Sequence, residues 1–293
     1  MTVSVMITTR DRADDLAVTL HELSRLAPAC DELLVTLDGC RDRSLELLQT
    51  GFPEARVIVN PVSRGSIPSR DRMIREAAGD LVLSLDDDSH PVEPDFIARA
   101  ARLFADDPRL AVLCFPQRSE EFPASLSQAS FGPDMCVASY ASSGVLLRRS
   151  TYLSLPGYAT GFGHVYEEPD YALQCIAAGW GVRLHTGLLI RHRYSSVNRN
   201  EIRTHHLHAR NECWSALLRC PWPVLPFALL RRAAGQFAYA CRRGPRWVVR
   251  EPQWWWRAAA GFPTVWRDRA PVGRREYSLW RGLLRNPRPA DRP

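Results

Sequence analysis

Three adjacent carboxylates, Asp86, Asp87 and Asp88, follow the aliphatic run Leu81-Val82-Leu83-Ser84-Leu85, and Pro91 stops the stretch. Neighbouring acids repel one another, so a positive charge is expected beside them. A hard divalent cation with oxygen ligands, bridging to phosphate oxygens, meets that need. The competing reading is a solvated acidic turn, and the buried strand leading into the acids argues against it. A second acidic group, Glu167, Glu168 and Asp170, surrounds Pro169. Proline suits the first helical position, which predicts Glu168 at the N-cap and Asp170 in the first turn. The positive helix end then favours an ionised Glu168, the state a general base needs before it takes a proton. The plainer alternative is that these acids only cap a helix.

The elements that would position these groups are legible. Val3–Ile7, Leu33–Leu37, Arg56–Val59 and Leu81–Leu85 read as strands. Helical spacing of Leu16, Leu20, Leu23 and Leu26, and helical segments at Leu45–Gln49 and Pro68–Ala78, separate them. The alternation predicts an α/β fold with a mostly parallel central sheet flanked by helices. Each strand delivers polar residues at its C-terminal end: Thr8 and Thr9, then Asp38, then Asp86 to Asp88. In open α/β sheets ligands bind at that edge. Neither GxGxxG nor GxxxxGK[ST] occurs, so no dinucleotide fingerprint or P-loop is present. A helix at Phe96–Phe104 and a strand at Leu110–Phe115 follow, and then an irregular polar stretch, Pro116–Ser139. His192 closes another short strand. The cluster His205, His206 and His208 lacks a matching ligand set and reads as helix packing.

With 293 residues, 45% apolar and 24% charged, the chain suits one large domain, or one domain with an appendage. Its eight cysteines contain no CxxC pair. Buried reduced thiols in a cytoplasmic protein are expected, rather than a disulfide framework or a zinc site. The N-terminus does not read as a signal peptide. No apolar run approaches the ~20 residues that span a bilayer.

Charge is distributed unevenly. Residues 1–190 hold 17 Arg and 26 acids, whereas residues 191–293 hold 21 Arg and 6 acids, together with eight of the nine Trp. From Phe227, the apolar residues Leu230, Ala234, Phe237 and Cys241 recur at 3-4-3-4 spacing among arginines, an amphipathic basic helix. Trp247, Trp254, Trp255, Trp256 and Trp266 follow, again among arginines. Two readings stay open: contact with the headgroup layer of an anionic membrane, or a helical appendage packed on the catalytic domain or on a second subunit as a homodimer. Without a recognisable module, nucleic acid is not expected as a partner.

Several segments together resemble inverting glycosyltransferases of family 2, with the GT-A fold. Val5 to Arg12 resembles the family's opening strand and nucleotide loop, Leu37 to Asp42 its Asp-Gly-Ser-x-Asp turn, and Gly65 to Asp71 its glycine and Ala-Arg-Asn segment, with Asp71 in place of Asn. Leu85 to Asp88 is similar to the DXD motif. The resemblance implies a nucleotide-sugar site of Thr8, Thr9, Arg10, Asp11, Asp38, Gly65, Arg70, Asp86 and Asp87. Asp38 would contact the base or ribose, Asp86 the ribose, and Arg70 a phosphate. It further implies Mn2+ or Mg2+ on Asp88 and His192. Glu168 stands where the family carries its catalytic base, beside Glu167, Asp170 and Arg210 toward the donor sugar or acceptor. The implied reaction moves a hexosyl or deoxyhexosyl group from a UDP-, dTDP- or GDP-sugar to a hydroxyl acceptor. A lipid-linked glycan in polysaccharide or cell-envelope assembly, at the inner face of the membrane, fits the basic tail. A nucleotidyltransferase and a non-catalytic sugar-nucleotide or membrane-binding scaffold are the alternatives. The catalytic domain is expected over 1–215, with a nucleotide half at about 1–115 and an acceptor half at about 116–215; a helical extension is expected over 216–293.

Overall fold

A computed structural model describes residues 1–194 and 200–290. Residues 195–199 of the expected acceptor half and 291–293 of the expected extension lie outside the described residues. The chain opens with β1 (Val3–Thr9), α1 (Ala13–Leu23), β2 (Glu32–Asp38), α2 (Ser44–Gly51), β3 (Arg56–Asn60), α3 (Ser66–Glu76) and β4 (Leu81–Asp86). These strands pair in parallel, β1 with β2 and β4, and β2 with β3. The chain builds outward to β3 and then returns to the other side of β1. The switch point therefore falls between β1 and β4, where Thr8 lies in register with Asp86.

Next come β5 (Ser89–Pro91), α4 (Phe96–Asp106), β6 (Leu110–Cys114), β7 (Gln117–Ser119), β8 (Met135–Cys136), β9 (Gly144–Arg148), α5 (Arg149–Ser154), α6 (Glu167–Ala177), β10 (Gly181–Leu184) and β11 (Ile190–His192). The chain closes with α7 (Glu201–Arg219), α8 (Leu225–Arg243), α9 (Pro245–Val248), α10 (Glu251–Arg267), α11 (Arg274–Arg285) and β12 (Arg288–Pro289). The main sheet runs β12-β8-β10-β6-β9-β4-β1-β2-β3, and a small sheet runs β5-β11-β7. Strand β9 lies antiparallel between β4 and β6. The mixed α/β architecture is the one expected.

Alternation along the strands sends side chains to two cores. Val3, Val5 and Ile7 meet Leu16, Leu20, Phe96 and Phe104 on one face. Met6, Leu34 and Val82 meet Ile67, Met73, Tyr152 and Tyr171 on the other. That second core also takes in Leu225, Val265, Tyr277 and Trp280 from the C-terminal region. Trp280 is fully buried and donates its indole N–H to the Ala138 carbonyl at 3.0 Å. The boundary expected at residue 215 falls inside the continuous helix α7, and β12 adds to the sheet edge beside β8. The C-terminal helical region thus contributes side chains to the core.

Candidate active site

The aliphatic run of β4 is buried on both faces and ends at the three acids. Their repulsion is met by arginines from neighbouring elements. Arg12, in the turn after β1, places Nη1 2.7 Å from Asp87 and Nη2 2.5 Å from Asp88. Arg70, on α3, pairs with Asp86 on one side and lies 2.7 Å from Glu167 on the other. Burial alone would lower the pKa of Arg70, but the attraction of Asp86 and Glu167 overcomes this and raises it.

Ligand atoms of Asp86, Asp88 and His192 come within 4.8 Å of one another. Strand β11 carries His192 there by pairing with β5, which places His192 opposite Ser89 just past the acids. Nε2 of His192 is 3.2 Å from Asp88, while its Nδ1 is 3.1 Å from the Gln117 side-chain oxygen. A neutral imidazole that donates from Nδ1 to Gln117 turns its Nε2 lone pair toward the carboxylates. Two carboxylates and one imidazole nitrogen suit Mn2+ or Mg2+, the imidazole favouring the transition metal. The donor set fits a divalent cation.

Asp11, Cys40 and Asp42 also gather. Asp42 is already committed, accepting from the Ala13 N–H and from both the N–H and hydroxyl of Ser44. Burial raises the Cys40 thiol above its usual pKa. A protonated thiol is a poor metal ligand, so this group ties α1 to α2. A cavity of about 400 Å3, lined by Asp11, Arg12, Ala13, Asp42 and Arg43 among others, opens beside it.

Helix α6 brings the second acidic group to the first. It begins at Glu167, with Tyr166 at the N-cap, so Glu168 lies in the first turn rather than at the cap. Val165 (φ 60°) and Tyr166 (φ 80°) are both left-handed, a conformation unfavourable for non-glycine residues. Helix α7 holds them: Asn211, fully buried, donates its side-chain amide to the carbonyls of His164 and Val165 at 2.8 Å each. Gly65 meets the same loop from the α3 side. A Cβ there would stand 2.2 Å from the Gly163 oxygen, and φ is +97°, so only glycine fits.

Glu168 keeps part of its surface open while sitting deep among protein atoms. Burial first, and the neighbouring Glu167 second, push its pKa up to about 8, against the pull of Arg70 and Ser142. The expected ionisation by the helix end is thereby corrected: desolvation and a like charge outweigh the dipole. A carboxylate of raised pKa is the stronger base once ionised.

A family model described as glycosyl transferase family 2 matches residues 4–162, more than half of the chain. The chain belongs to glycosyl transferase family 2. Among solved structures, GalNAc-T7 with UDP, GalNAc and Mn2+ superposes on this family 2 chain with TM-score 0.62 at 13% identity, over 83% of this chain and 50% of that one. The mannosyltransferase PcManGT from Pyrobaculum calidifontis, in complex with GDP-Man and Mn2+, gives 0.58 at 17% identity over 96% and 84%. S. aureus TarS 1–349 gives 0.57 at 14% over 95% and 83%. At these identities the likeness is one of fold, GT-A. The chain spans half the length of GalNAc-T7. No curated protein matches it.

Several residues expected to meet ligands in this family 2 chain are occupied otherwise. Asp38 is buried and accepts from Asn60, Ser63, the Arg64 N–H and the Gly65 N–H, so it organises the loop after β3 instead of presenting a free carboxylate to a nucleoside. Asp87 is buried, with Thr9 donating to it at 2.7 Å. Burial pushes its pKa up to about 7 against the pull of Arg12 and Thr9. Thr9 and Asp87 therefore brace the turn from within. Asp170 is buried against Ser215 (2.7 Å) and Arg219 (3.2 Å), joining α6 to α7 rather than facing a sugar. Glu167 is buried on Arg70, and Arg70 in turn has its charge taken by two carboxylates before any phosphate. Arg210 donates to the Phe162 carbonyl at 2.6 Å and lies over Trp214, so it too serves the loop before α6.

Thr8, Arg10, Asp11 and Asp86 remain at the open edge of the sheet with partly or fully exposed surfaces. Asp11 accepts from the Arg41 N–H at 2.6 Å. Asp71 accepts from the Tyr152 hydroxyl at 2.8 Å and pairs with Arg75.

Three further residues belong to the site, of which Arg12 and His164 were not read as members from the sequence. Arg12 supplies the counter-charge for Asp87 and Asp88; an arginine directly after the first strand was its signal. Asn211 holds the loop before α6. His164, exposed and 2.7 Å from the Ser66 hydroxyl, stands at the junction of the two halves. Of the His205 cluster, His205 and His206 are buried in packing and His208 is exposed; His205 lies 2.7 Å from Glu251, which also accepts from Trp254.

Proposed function

We propose that this family 2 chain transfers a sugar from a nucleoside-diphosphate donor to a hydroxyl acceptor with inversion, using a divalent cation at Asp86, Asp88 and His192 and Glu168 as base. The observation that carries the reading is the bridge Asp86–Arg70–Glu167. One buried guanidinium links the acids at the end of β4 to the first turn of α6, so the candidate base stands next to the candidate cation site. The complexes of GalNAc-T7 with UDP and Mn2+ and of PcManGT with GDP-Man and Mn2+ support the same donor class here.

In this mechanism Asp86, Asp88 and His192 would hold the cation, and Thr8, Arg10 and Asp11 would line the donor's nucleoside. A bound cation would offset charge developing on the departing diphosphate. Glu168 takes the acceptor's hydroxyl proton on a carboxylate oxygen as that hydroxyl oxygen attacks the anomeric carbon. Attack opposite the leaving group inverts the centre in one displacement. Arg70 holds Asp86 and Glu167 at fixed spacing throughout. The group transferred in this reading is a hexosyl or deoxyhexosyl group.

The test is Glu168→Gln. It should bind donor with unchanged affinity while transfer falls by about 10²–10⁴-fold, the usual worth of a positioned acid–base group. Wild-type transfer by this variant removes Glu168 as base. Donor binding without transfer by the wild type favours the scaffold reading, and pyrophosphate release from a nucleoside triphosphate favours nucleotidyl transfer.

A further inference from the structure

The apolar stripe of α8 does not face the protein. Helix α8 packs through Leu225, Ala228, Leu229, Arg232 and Ala240, all buried or half-buried. The opposite side carries Phe227 at 75% and Leu230 at 71% exposure, continued by the exposed Ala234, Phe237 and Cys241. Helix α10 repeats the pattern. Its inner side meets Trp214 of α7, which donates to the Ala258 carbonyl, while Trp255, Phe262 and Trp266 stay exposed. The two stripes meet at both ends. Phe237 contacts Trp255 with ring centroids 6.1 Å apart, and Trp222, just before α8, contacts Trp266 at 6.3 Å. The helices therefore run antiparallel, with exposed aromatic side chains touching at both ends.

A water-soluble helix normally turns its large apolar side chains inward, and an apolar patch left outside marks an interaction site. The charge around the face says with what. Residues 216–293 contain 16 Arg and 4 acids, and one of those acids, Glu251, is fully buried. Arg231, Arg242, Arg246, Arg250 and Arg257 are exposed among the aromatic residues. Indole rings and guanidinium groups around an aliphatic stripe match the interface of an anionic bilayer: the rings sit at the headgroup level, and the arginines meet lipid phosphates. No described helix is long and apolar enough to cross a membrane, so the contact is with the surface.

We propose that the paired outer faces of α8 and α10 dock this chain on an anionic lipid bilayer. The surface lies one helix from the candidate active site, because α7 packs against α8 and α10 while its Asn211 holds the loop before α6. Combined with the transfer reading, on which this step alone rests, it points to an acceptor carried at the bilayer surface.

The experiment is co-sedimentation of the full chain with vesicles of phosphatidylglycerol and phosphatidylcholine, against phosphatidylcholine alone, with light scattering in parallel. Binding should appear on the anionic vesicles only. It should fall about tenfold or more in Phe227→Glu/Leu230→Glu and at high salt. Both positions are exposed, so an unchanged melting temperature will show that the variant is folded. Arg231→Glu/Arg242→Glu, which leaves the apolar face intact, should also weaken binding. The proposal is overturned by no binding, by equal binding to neutral vesicles, or by full binding of both variants. It is also overturned if the face instead buries a second copy, seen as a dimer that Phe227→Glu/Leu230→Glu dissociates without any vesicle binding. Neither donor nor cation is needed, so failure here is distinct from failure of the transfer reading.

Discussion

Arg70 Nη1 lies 2.7 Å from Glu167 Oε1, and both side chains are buried. The same guanidinium pairs with Asp86, so it directly links the acids of β4 with those of α6. Removing it leaves Glu167 as an uncompensated buried charge, a loss of about 3–5 kcal/mol. Arg70→Met should therefore lower the denaturation midpoint sharply, and Arg70→Met/Glu167→Gln should recover a large part of the loss. Equal stability of the single and double variants would dissociate the pair from the fold.

Glu168 gives the pH dependence its sign. Its folded-state pKa is raised, so the ionised base forms only as pH climbs past neutrality. Transfer at limiting donor should rise with pH to a midpoint on the alkaline side of 7, well above the ordinary carboxylate range. The same shift predicts that folding is favoured by Glu168 in its protonated form, fully so below its unfolded pKa, and that this stabilisation is lost as pH rises through the folded pKa. Glu168→Gln removes that loss. With its partial solvent access discounted, the variant should melt roughly 2–4 °C higher above pH 8, with no gain near pH 4.

Asn211 bears on rate more than on binding. Left-handed Val165 and Tyr166 are each costly by about 1–3 kcal/mol and persist where neighbours over-determine them. Without the amide donors the loop relaxes, and Glu168 moves with it. Asn211→Ala should lower kcat by about 10–100-fold with little change in donor KM. Asn211→Asp, which keeps the shape but loses the donors, should not rescue. An equal fall in donor affinity would make Asn211 a general structural residue.

Most of the sheet was legible because strands such as Leu81–Leu85 are aliphatic runs bounded by glycine, proline or charge. β5 and β7, three residues each, carry too little periodicity to be read, yet they flank β11, the strand read before His192, and bring that histidine to Asp88. The start of α6 was misplaced because two left-handed residues that are neither Gly nor Asn make the turn into it. A carboxylate also looks the same in sequence whether it stays at the open edge, as Asp86 does, or meets a ring of internal donors, as Asp38 does. The period of α8 was correct, but periodicity does not say which face is buried; the side carrying Leu225, Ala228, Leu229, Arg232 and Ala240 packs inward.

Trp280 measures how far the C-terminal region belongs to the core. Trp280→Ala should cost about 3–5 kcal/mol in chemical denaturation and leave one cooperative transition. An unchanged midpoint would restore a separable appendage beyond residue 215.

The most direct test of the central claim is thermal melting with UDP, GDP or dTDP, each with and without Mn2+, for the wild type and Asp88→Ala. A ligand that binds only the folded state raises the melting temperature by mass action, by about 2.7 kcal/mol of stability at a hundredfold excess over Kd. A Mn2+-dependent rise is expected with one nucleotide in the wild type and none in Asp88→Ala. No rise with any nucleotide, or an equal rise in Asp88→Ala, would contradict the claim.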